Sequence, residues 1–424
     1  MPAHLLSNAT AVLKEVIQPY VQDNFPKQTI LLDQMKRNAG VTPMNNAFHA
    51  AVRTSRQGGV TNLANDGNNI NATAGITWSR GSVSVKQITG AFNISKLAID
   101  ASQGDRRAIA NTFQEQAKAM VSDFARDVNR QLYGDASGII GQVSGSTSGT
   151  EITIRTINAS VDDGRTLDYY GTVNDDVPAG AYLYPNQIIG IGTAAAAVGT
   201  IAASGVTNTG KGVATGTVLL TGATASAAND AIFLVDGSGG GAGSNMMNGI
   251  RDALSSTTGT SQYAGIARST TGWAPQFGSI SEALTLSRME GAYLTAKEYA
   301  RTGDQYAIFV NKTLYQKYGD LLTSMRRTVD TADLLGGWTG LEFAAGAGKV
   351  GVFLDFQVPD GEVVILNMDT WTLCQVSDMN WLEEGAEALL RLQNTITYQA
   401  TMVWFANVMC LAPAANARET QKTD

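Results

Sequence analysis

Apolar residues recur every three or four positions over a long central stretch, and this periodicity predicts an amphipathic helix from Asp105 to Tyr133. The apolar stripe consists of Ile109, Phe113, Ala117, Met120, Phe124, Val128 and Leu132. At about 1.5 Å per residue, a helix of roughly 29 residues forms a rod about 43 Å long. Such a rod suits the spine of a thin domain, although an ordinary core helix has the same pattern.

The segment before this helix, residues 50–99, has the pattern of two strands around a polar tip. Residues prone to form strands occupy 51–57 and 76–94, whereas residues 62–75 are rich in Asn, Gly and Ala. A loop of this length gains little packing energy within its own subunit to offset its ordering entropy. We therefore expect it to lie on a neighbouring copy of the chain.

The N-terminal segment has a shorter helical pattern. Val12, Val16 and Ile17 have helical spacing, but Pro19 interrupts the pattern and Pro26 ends it. We interpret this segment as an arm.

The rest of the chain divides into a β-rich stretch and a mixed C-terminal part. Between residues 134 and 249, Gly, Ala, Thr and Ser surround short apolar runs, which predicts a small all-β insert. Its predicted strands are 151–157, 187–191, 217–220 and 231–235. Beyond the insert, helices are predicted at 281–301 and 312–323, and strands at 306–310, 349–356, 362–367 and 396–411. The fold class is therefore α+β.

Composition narrows the function classes. Charged residues make up 16% of the chain, whereas a soluble domain typically has about 25%, so extensive contacts between subunits are favoured. The net charge of -7 argues against a sequence-independent nucleic-acid binder, because phosphate binding needs clustered Lys and Arg. The two cysteines, Cys374 and Cys410, form no zinc or disulfide pattern. The first residues lack a signal-peptide pattern, and no apolar run reaches about 18 residues.

Motifs that would indicate catalysis or a cofactor are incomplete. Residues 237–242 fit the dinucleotide pattern G-x-G-x-x-A, but no acid follows near Ser261, so a flexible linker is the expected structure. Residues 346–349 resemble the end of a phosphate loop without the Ser or Thr that binds magnesium. The two histidines, His4 and His49, both lie near the N terminus, which disfavours a catalytic triad. We expect no catalytic residue, no cofactor and no metal, and hence no enzyme.

Charged and aromatic residues without a catalytic partner are candidates for contacts between subunits. The acids around Glu383 suit a solvated or intersubunit face, and a basic pair in an acidic chain more often meets a neighbour's carboxylate than a phosphate. The candidate contact residues are Arg53, Arg56, Trp78, Arg80, Arg326, Arg327, Glu383 and Glu384.

In their order and spacing, these elements resemble a tailed-bacteriophage major capsid protein over nearly the whole chain. The arm, the loop, the helix ending in Leu-Tyr-Gly-Asp and the β insert come first. The later landmarks are Asn248-Gly249-Ile250-Arg251, Gly265-Ile266-Ala267-Arg268 with Trp273, and the closing run from Tyr398 to Pro413 with Asn407 and Cys410.

This resemblance implies a Hong Kong 97-type fold: an N-terminal arm, an extended β loop, a spine helix, peripheral and axial domains, and an all-β insertion domain. Mapped onto this chain, the arm is 1–49, the extended loop 50–99, the peripheral domain 100–144 and 276–335, the insertion domain 145–245, and the axial domain 246–275 and 336–424.

The resemblance also implies a function. The chain would self-assemble through hexamers and pentamers into an icosahedral shell around double-stranded DNA that it contacts weakly. A portal protein and possible decoration protein would be partners, with assembly in the host cytoplasm and final location in the virion. Many relatives begin with a cleavable scaffolding segment, whereas here the arm starts almost at Met1. Either a separate scaffolding protein acts, or the chain is already mature.

Alternatives remain at this point. An encapsulin-like nanocompartment has the same fold but encloses protein cargo. A β-rich adhesin would fit the composition of 145–245, but the long helix and missing export signal disfavour it, and a hydrolase would need a catalytic constellation. Some relatives cross-link the loop through a Lys, but the loop has no Lys between Arg56 and Lys86. We therefore expect non-covalent contacts.

Overall fold

The computed structural model describes the body of the chain and most of its strands. The described residues are 12–19, 22, 29–55, 75–96, 106–136, 138–145, 149–155, 183–192, 197–206, 215–222, 224–228, 230–234, 246–255, 262–270, 272–300, 305–324, 331–333, 339–345, 348–359, 361–384, 387–393 and 395–423.

The helices of this part of the chain are α1 (Ile30–Gln34), α2 (Arg106–Leu132), α3 (Ile250–Ala253), α4 (Leu286–Glu298) and α5 (Lys312–Ser324), with a π-helix at Val12–Ile17 and 3₁₀ turns at Met368–Thr370 and Pro413–Ala415. Helix α2 is the predicted long helix, with both ends one residue inside the predicted bounds. None of the described helices combines the length and apolar character needed to cross a membrane.

The strands are β1 (Lys36–Arg37), β2 (Thr42–Met44), β3 (Ala47–Arg53), β4 (Trp78–Ser84), β5 (Lys86–Ser95), β6 (Ile139–Val143), β7 (Glu151–Arg155), β8 (Ile188–Ile191), β9 (Ala197–Val206), β10 (Thr215–Leu220), β11 (Ala231–Leu234), β12 (Gln262–Tyr263), β13 (Ile266–Ala267), β14 (Gln276–Ala283), β15 (Tyr306–Val310), β16 (Thr331–Asp333), β17 (Thr339–Ala345), β18 (Gly348–Leu354), β19 (Val363–Asn367), β20 (Trp371–Gln375), β21 (Asn380–Trp381), β22 (Leu389–Arg391), β23 (Thr397–Cys410) and β24 (Ala417–Thr423).

A mixed seven-stranded sheet separates two hydrophobic cores. Its strand order is β14-β24-β19-β15-β18-β17-β16. Along the central strand β15, Ile308 and Val310 belong to the core beneath helices α4 and α5, whereas Ala307 and Phe309 belong to the core that contains α2. Because side chains alternate across a strand, a strand covered on both faces is apolar throughout. All five residues of β15 are accordingly buried.

A second sheet of six strands packs against helix α2. Its order is β1-β20-β23-β21, and β5 and β22 also pair with β23. Strand β5 pairs antiparallel with β23 along its whole length, from Lys86 opposite Ala406 to Ser95 opposite Thr397. The rings of Phe124 on α2 and Trp404 on β23 lie 6.4 Å apart, so the apolar stripe of the helix faces this sheet. The last strand of the predicted extended loop, β5, is thus part of the body sheet.

The predicted all-β insert is a closed six-stranded barrel with the order β10-β7-β6-β11-β8-β9. It has its own hydrophobic core, which includes Ile152, Ile189 and Val218. The barrel begins with β6 at Ile139, whereas the mapping implied by the resemblance placed residues up to 144 in the peripheral domain. The five residues of β6 are all buried and pair with β7 and β11, so they belong to the barrel.

The two ends of the barrel return to the same place in the body. Strand β6 pairs antiparallel with β11, the last barrel strand. Gly249 in the returning chain lies so close to Gly134 O, just after α2, that a side chain there would collide with the backbone. Only glycine permits this approach.

Several further elements differ from the sequence-based expectation. The helix predicted at 281–301 is shorter, Leu286–Glu298, because the preceding residues form β14 and pair in parallel with β24. Strands β20 and β24 were not predicted, and each pairs with strands that are distant in sequence. Such pairing is not visible in local periodicity.

Candidate assembly surface

Strands β2, β3 and β4 form a three-stranded antiparallel sheet, here named the stem sheet, which leads to the tip of the predicted extended loop. On its inner face, Phe48, Ala50 and Val83 are buried in a cluster with Cys374 and Met409 of the body. This cluster holds the stem sheet against the six-stranded sheet.

The opposite face of the stem sheet, here named the stem face, is open. Its cross-strand pairs are Arg53 with Trp78, Ala51 with Arg80, and His49 with Ser82. Residues directly opposite in an antiparallel ladder share a face. The structure therefore brings three of the predicted contact residues, Arg53, Trp78 and Arg80, onto one surface.

The side chains on the stem face are held in place by short-range hydrogen bonds. The guanidinium of Arg80 lies 2.6 Å from His49 Nε2, and Arg53 Nε donates to Ser55 O at 2.9 Å. Trp78 is 63% exposed, which is unusual for so large an apolar side chain. Trp and Arg are enriched among the residues that dominate binding energy at protein interfaces. The stem face therefore has the composition of a contact surface.

Close backbone contacts fix the stem sheet on the body. Ser82 N donates to Ala264 O at 2.9 Å, and Val85 N donates to Asn46 O at 3.0 Å. Gly81 also lies close to β23: a Cβ there would be 2.7 Å from the terminal methyl carbon of the flexible Met409 side chain.

The buried amide of Asn407 joins the stem sheet to two parts of the body. Its Nδ2 donates to Ser84 O and to Asn248 Oδ1, both at 2.7 Å, and its Oδ1 accepts from Asn248 N at 2.8 Å. Both polar groups of the side-chain amide thus have hydrogen-bond partners. This network, here named the joint, orients the stem sheet relative to the body. The sequence identified Asn407 as a landmark but gave no signal for this role.

Asp252 extends the joint on the far side of Asn248. It accepts from Asn248 Nδ2 at 2.5 Å and from Arg268 Nη2 at 3.0 Å. Burial raises the pKa of Asp252, while Asn248 and Arg268 act against that shift. Burial also lowers the pKa of the half-buried Lys86, against the effect of Asp252. Lys86 therefore lies in the body beside the joint and not at the loop tip.

The acidic candidates lie near the N-terminal segment. Lys14 Nζ forms an ion pair with Glu383 Oε2 at 2.7 Å, and Trp381 Nε1 donates to Leu13 O at 3.1 Å. Leu13 is fully buried in the main core. The described part of the predicted arm thus packs on its own chain, and Glu383 has a partner there. Glu384 is exposed.

The remaining candidates are not placed. Arg56, Arg326 and Arg327 lie outside the described residues. Their assignment as contact residues stays a prediction.

The described residues offer little chemistry beyond contact. No group of three His, Cys, Asp or Glu side chains that could hold a metal ion occurs within them. Both thiols are buried, and burial raises the pKa of Cys374 and of Cys410 to about 12, far from the range of a reactive thiolate. The exposed stem face stays the candidate contact surface among the described residues.

Comparison with solved structures identifies the fold. The chain is similar to the capsid of cyanophage A-1(L), with a TM-score of 0.50 and 12% identity over 92% of each chain. It is also similar to the holo-SrpI encapsulin of Synechococcus elongatus PCC 7942 (TM-score 0.43, 8% identity, 94% of this chain and 88% of that chain). A virus-like particle from Pyrococcus furiosus follows (TM-score 0.40, 9% identity, 96% and 98%).

No protein-family model and no curated protein matches the chain. The fold assignment accordingly rests on the cyanophage capsid. The expected α+β capsid fold of the Hong Kong 97 type is confirmed.

Proposed function

We propose that this chain is the major capsid protein of a tailed bacteriophage and that it assembles into an icosahedral shell around double-stranded DNA. The observation that carries the proposal is the likeness to a phage capsid over 92% of both chains, which leaves no large part of either fold unmatched. A protein of this kind acts by contact and not by catalysis, in keeping with its lack of a complete catalytic motif.

Two physical features support assembly. The low charged fraction of 16% leaves much surface that can be buried against other copies. The stem face presents Trp78 next to Arg53 and Arg80 on a sheet that packs on the body. A contact between different patches on successive copies closes into rings, and then shells, where the geometry allows.

The partners follow from this proposal. Copies would form hexamers and pentamers, a portal protein would occupy one vertex, and a separate scaffolding protein would guide assembly in the host cytoplasm. A decoration protein could bind the outer surface of the virion. The net charge of -7 suits weak contact with packaged DNA.

Trp78 provides the test of the stem face. Because Trp78 is largely exposed, Trp78→Ala should change the unfolding free energy of the subunit by less than about 0.5 kcal/mol. If the indole is an interface anchor, the protein concentration needed for shell assembly should rise about thirtyfold, as expected for the loss of about 2 kcal/mol at each contact.

The control is Trp78→Phe, which keeps an aromatic ring at the same position and should assemble closer to the wild type. Light scattering measures assembly, and thermal unfolding of the unassembled protein measures subunit stability. Assembly of Trp78→Ala at the wild-type concentration would contradict a contact role for the stem face.

The content of native particles separates the phage proposal from an encapsulin-like nanocompartment. Particles purified from the source should contain nuclease-protected double-stranded DNA. A single protein cargo without DNA would instead favour the nanocompartment.

A further inference from the structure

A cavity of about 330 Å³ lies between α1, the spine helix α2 and the turn after β18. It is lined by Thr29, Ile30, Ser122, Ala125, Arg126, Asn129, Leu354, Asp355, Phe356 and Gln357. The α2 residues are spaced three or four apart, so one face of that helix forms the wall. The cavity is lined by none of the stem-face residues.

Two buried polar atoms on residues that line this cavity lack a hydrogen-bond partner within the described structure. They are Thr29 Oγ1 and Asn129 Oδ1, and the two residues are only 3% and 9% exposed. Buried polar atoms of native proteins are rarely left unpaired, so each such atom calls for an explanation. A donor group that enters the cavity is one candidate for the missing partner of both atoms.

The cavity also contains a buried carboxylate. Asp355 accepts from Asn129 Nδ2 at 3.1 Å, from Gln357 N at 3.0 Å and from Tyr133 OH at 3.1 Å. All three donors are neutral, and none of the ion pairs of the described residues involves Asp355. Burial raises the pKa of Asp355. A cation in the cavity would relieve this cost of burial.

The other residues that line the cavity suit the aliphatic part of a Lys or Arg side chain and a contact with a neighbouring molecule. Ile30, Ala125 and Leu354 provide apolar wall, along which the methylene groups of Lys or Arg can pack. Phe356 is 71% exposed, as expected for an apolar residue that a neighbouring molecule covers. Arg126 is exposed, so water screens its charge from an entering cation.

We propose that this cavity receives a Lys or Arg side chain from a second copy of the chain, which pairs with Asp355 and donates to Asn129 Oδ1 and Thr29 Oγ1. The inference rests on the proposed shell function, since only assembly brings a second copy to this site. A divalent metal fits less well, because calcium needs six to eight oxygen ligands and the site contains one carboxylate that already accepts several hydrogen bonds.

The test uses Thr29→Val, which removes only the hydroxyl. Because Thr29 Oγ1 has no partner in the subunit, the melting temperature of the unassembled protein should stay the same or rise. In the shell the variant loses a hydrogen bond to a charged group, so the concentration needed for assembly should rise about tenfold.

Thr370→Val is the matched control within the same chain. The Thr370 hydroxyl donates to Asn367 O at 2.7 Å and accepts from Asn416 Nδ2 at 3.0 Å, so its loss should lower the melting temperature of the subunit. The two variants therefore separate a hydroxyl used inside the subunit from one used between copies.

Each outcome decides a specific point. If the wild type and Thr29→Val form shells at the same protein concentration, this inference is overturned, whereas the proposed shell function stands. A wild-type protein that forms no shells would overturn both. Loss of wild-type shells in EDTA would identify the occupant as a metal ion and overturn the side-chain proposal. A density map of the shell should place a neighbour's basic group beside Asn129 and Asp355, whereas an empty cavity there would also overturn it.

Discussion

At the scale of single residues, buried amides join distant parts of the chain. Asn416 is fully buried; its Oδ1 accepts from Asn367 N at 2.8 Å and from Trp371 Nε1 at 3.0 Å. Asn407 does the same at the joint between the stem sheet and the body. The sequence could not reveal these roles, because a buried Asn and a loop Asn are the same letter and only the long-range fold distinguishes them.

The two cysteines give a prediction on pH. Burial raises the pKa of Cys374 and of Cys410 to about 12, so the folded state holds both thiols in the protonated form. Iodoacetamide at pH 8 should leave the native protein unlabelled and should label both cysteines in urea. Because both pKa values are higher in the folded state, the protonated thiols stabilise the folded protein below the ordinary thiol pKa. This stabilisation should be lost as the pH rises toward 12. Rapid labelling of native protein would contradict their burial.

At the scale of elements, local periodicity predicted the helices and strands whose bounds depend on local interactions. The spine helix and strand β15 lie close to their expected bounds because their apolar patterns extend over the whole element. The pairing of β5 with β23 was not predictable, since its partners are separated by roughly 300 residues of chain and no turn motif links them. Arg53, Trp78 and Arg80 were named as contact candidates from residue type alone; that they share a face depends on strand register, which the sequence does not show, and their contact role stays a prediction.

The apolar stripe of α2 provides a stability test. Phe124 is buried against Trp404, so Phe124→Ala should destabilise the subunit by about 3 to 5 kcal/mol. Lys118→Ala on the exposed side of the same helix is the control and should change stability by less than about 0.5 kcal/mol. Urea unfolding of both variants measures the difference, and equal effects would mean that the stripe does not face the core.

The barrel provides a second test at this scale. Because β6 and β11 pair at the base of the barrel and its core is separate, residues 139–234 should be replaceable by a short Gly-Ser linker. The shortened chain should remain soluble and unfold at a temperature close to that of the body in the full chain. Insoluble protein, with the isolated barrel also unfolded, would show that the two parts depend on each other.

At the scale of the whole molecule, the proposed shell would be held by buried area and not by covalent bonds. The loop carries no Lys between Arg56 and Lys86, and Lys86 is half-buried beside the Asp252 joint. Arg residues in the loop cannot substitute, because a guanidinium stays protonated and is a poor nucleophile. Particles boiled in detergent and reductant should therefore give one band near 44.6 kDa. A ladder of larger bands would contradict non-covalent assembly, and Lys86→Arg would identify its source.

The most direct test of the central claim is negative-stain electron microscopy of the purified full-length protein, with sedimentation velocity on the same sample. The proposal predicts closed particles of uniform diameter with icosahedral outlines, produced by this chain alone or with the scaffolding protein of its source. A folded protein that sediments as a monomer or small oligomer under both conditions, with no shells on the grid, would contradict it.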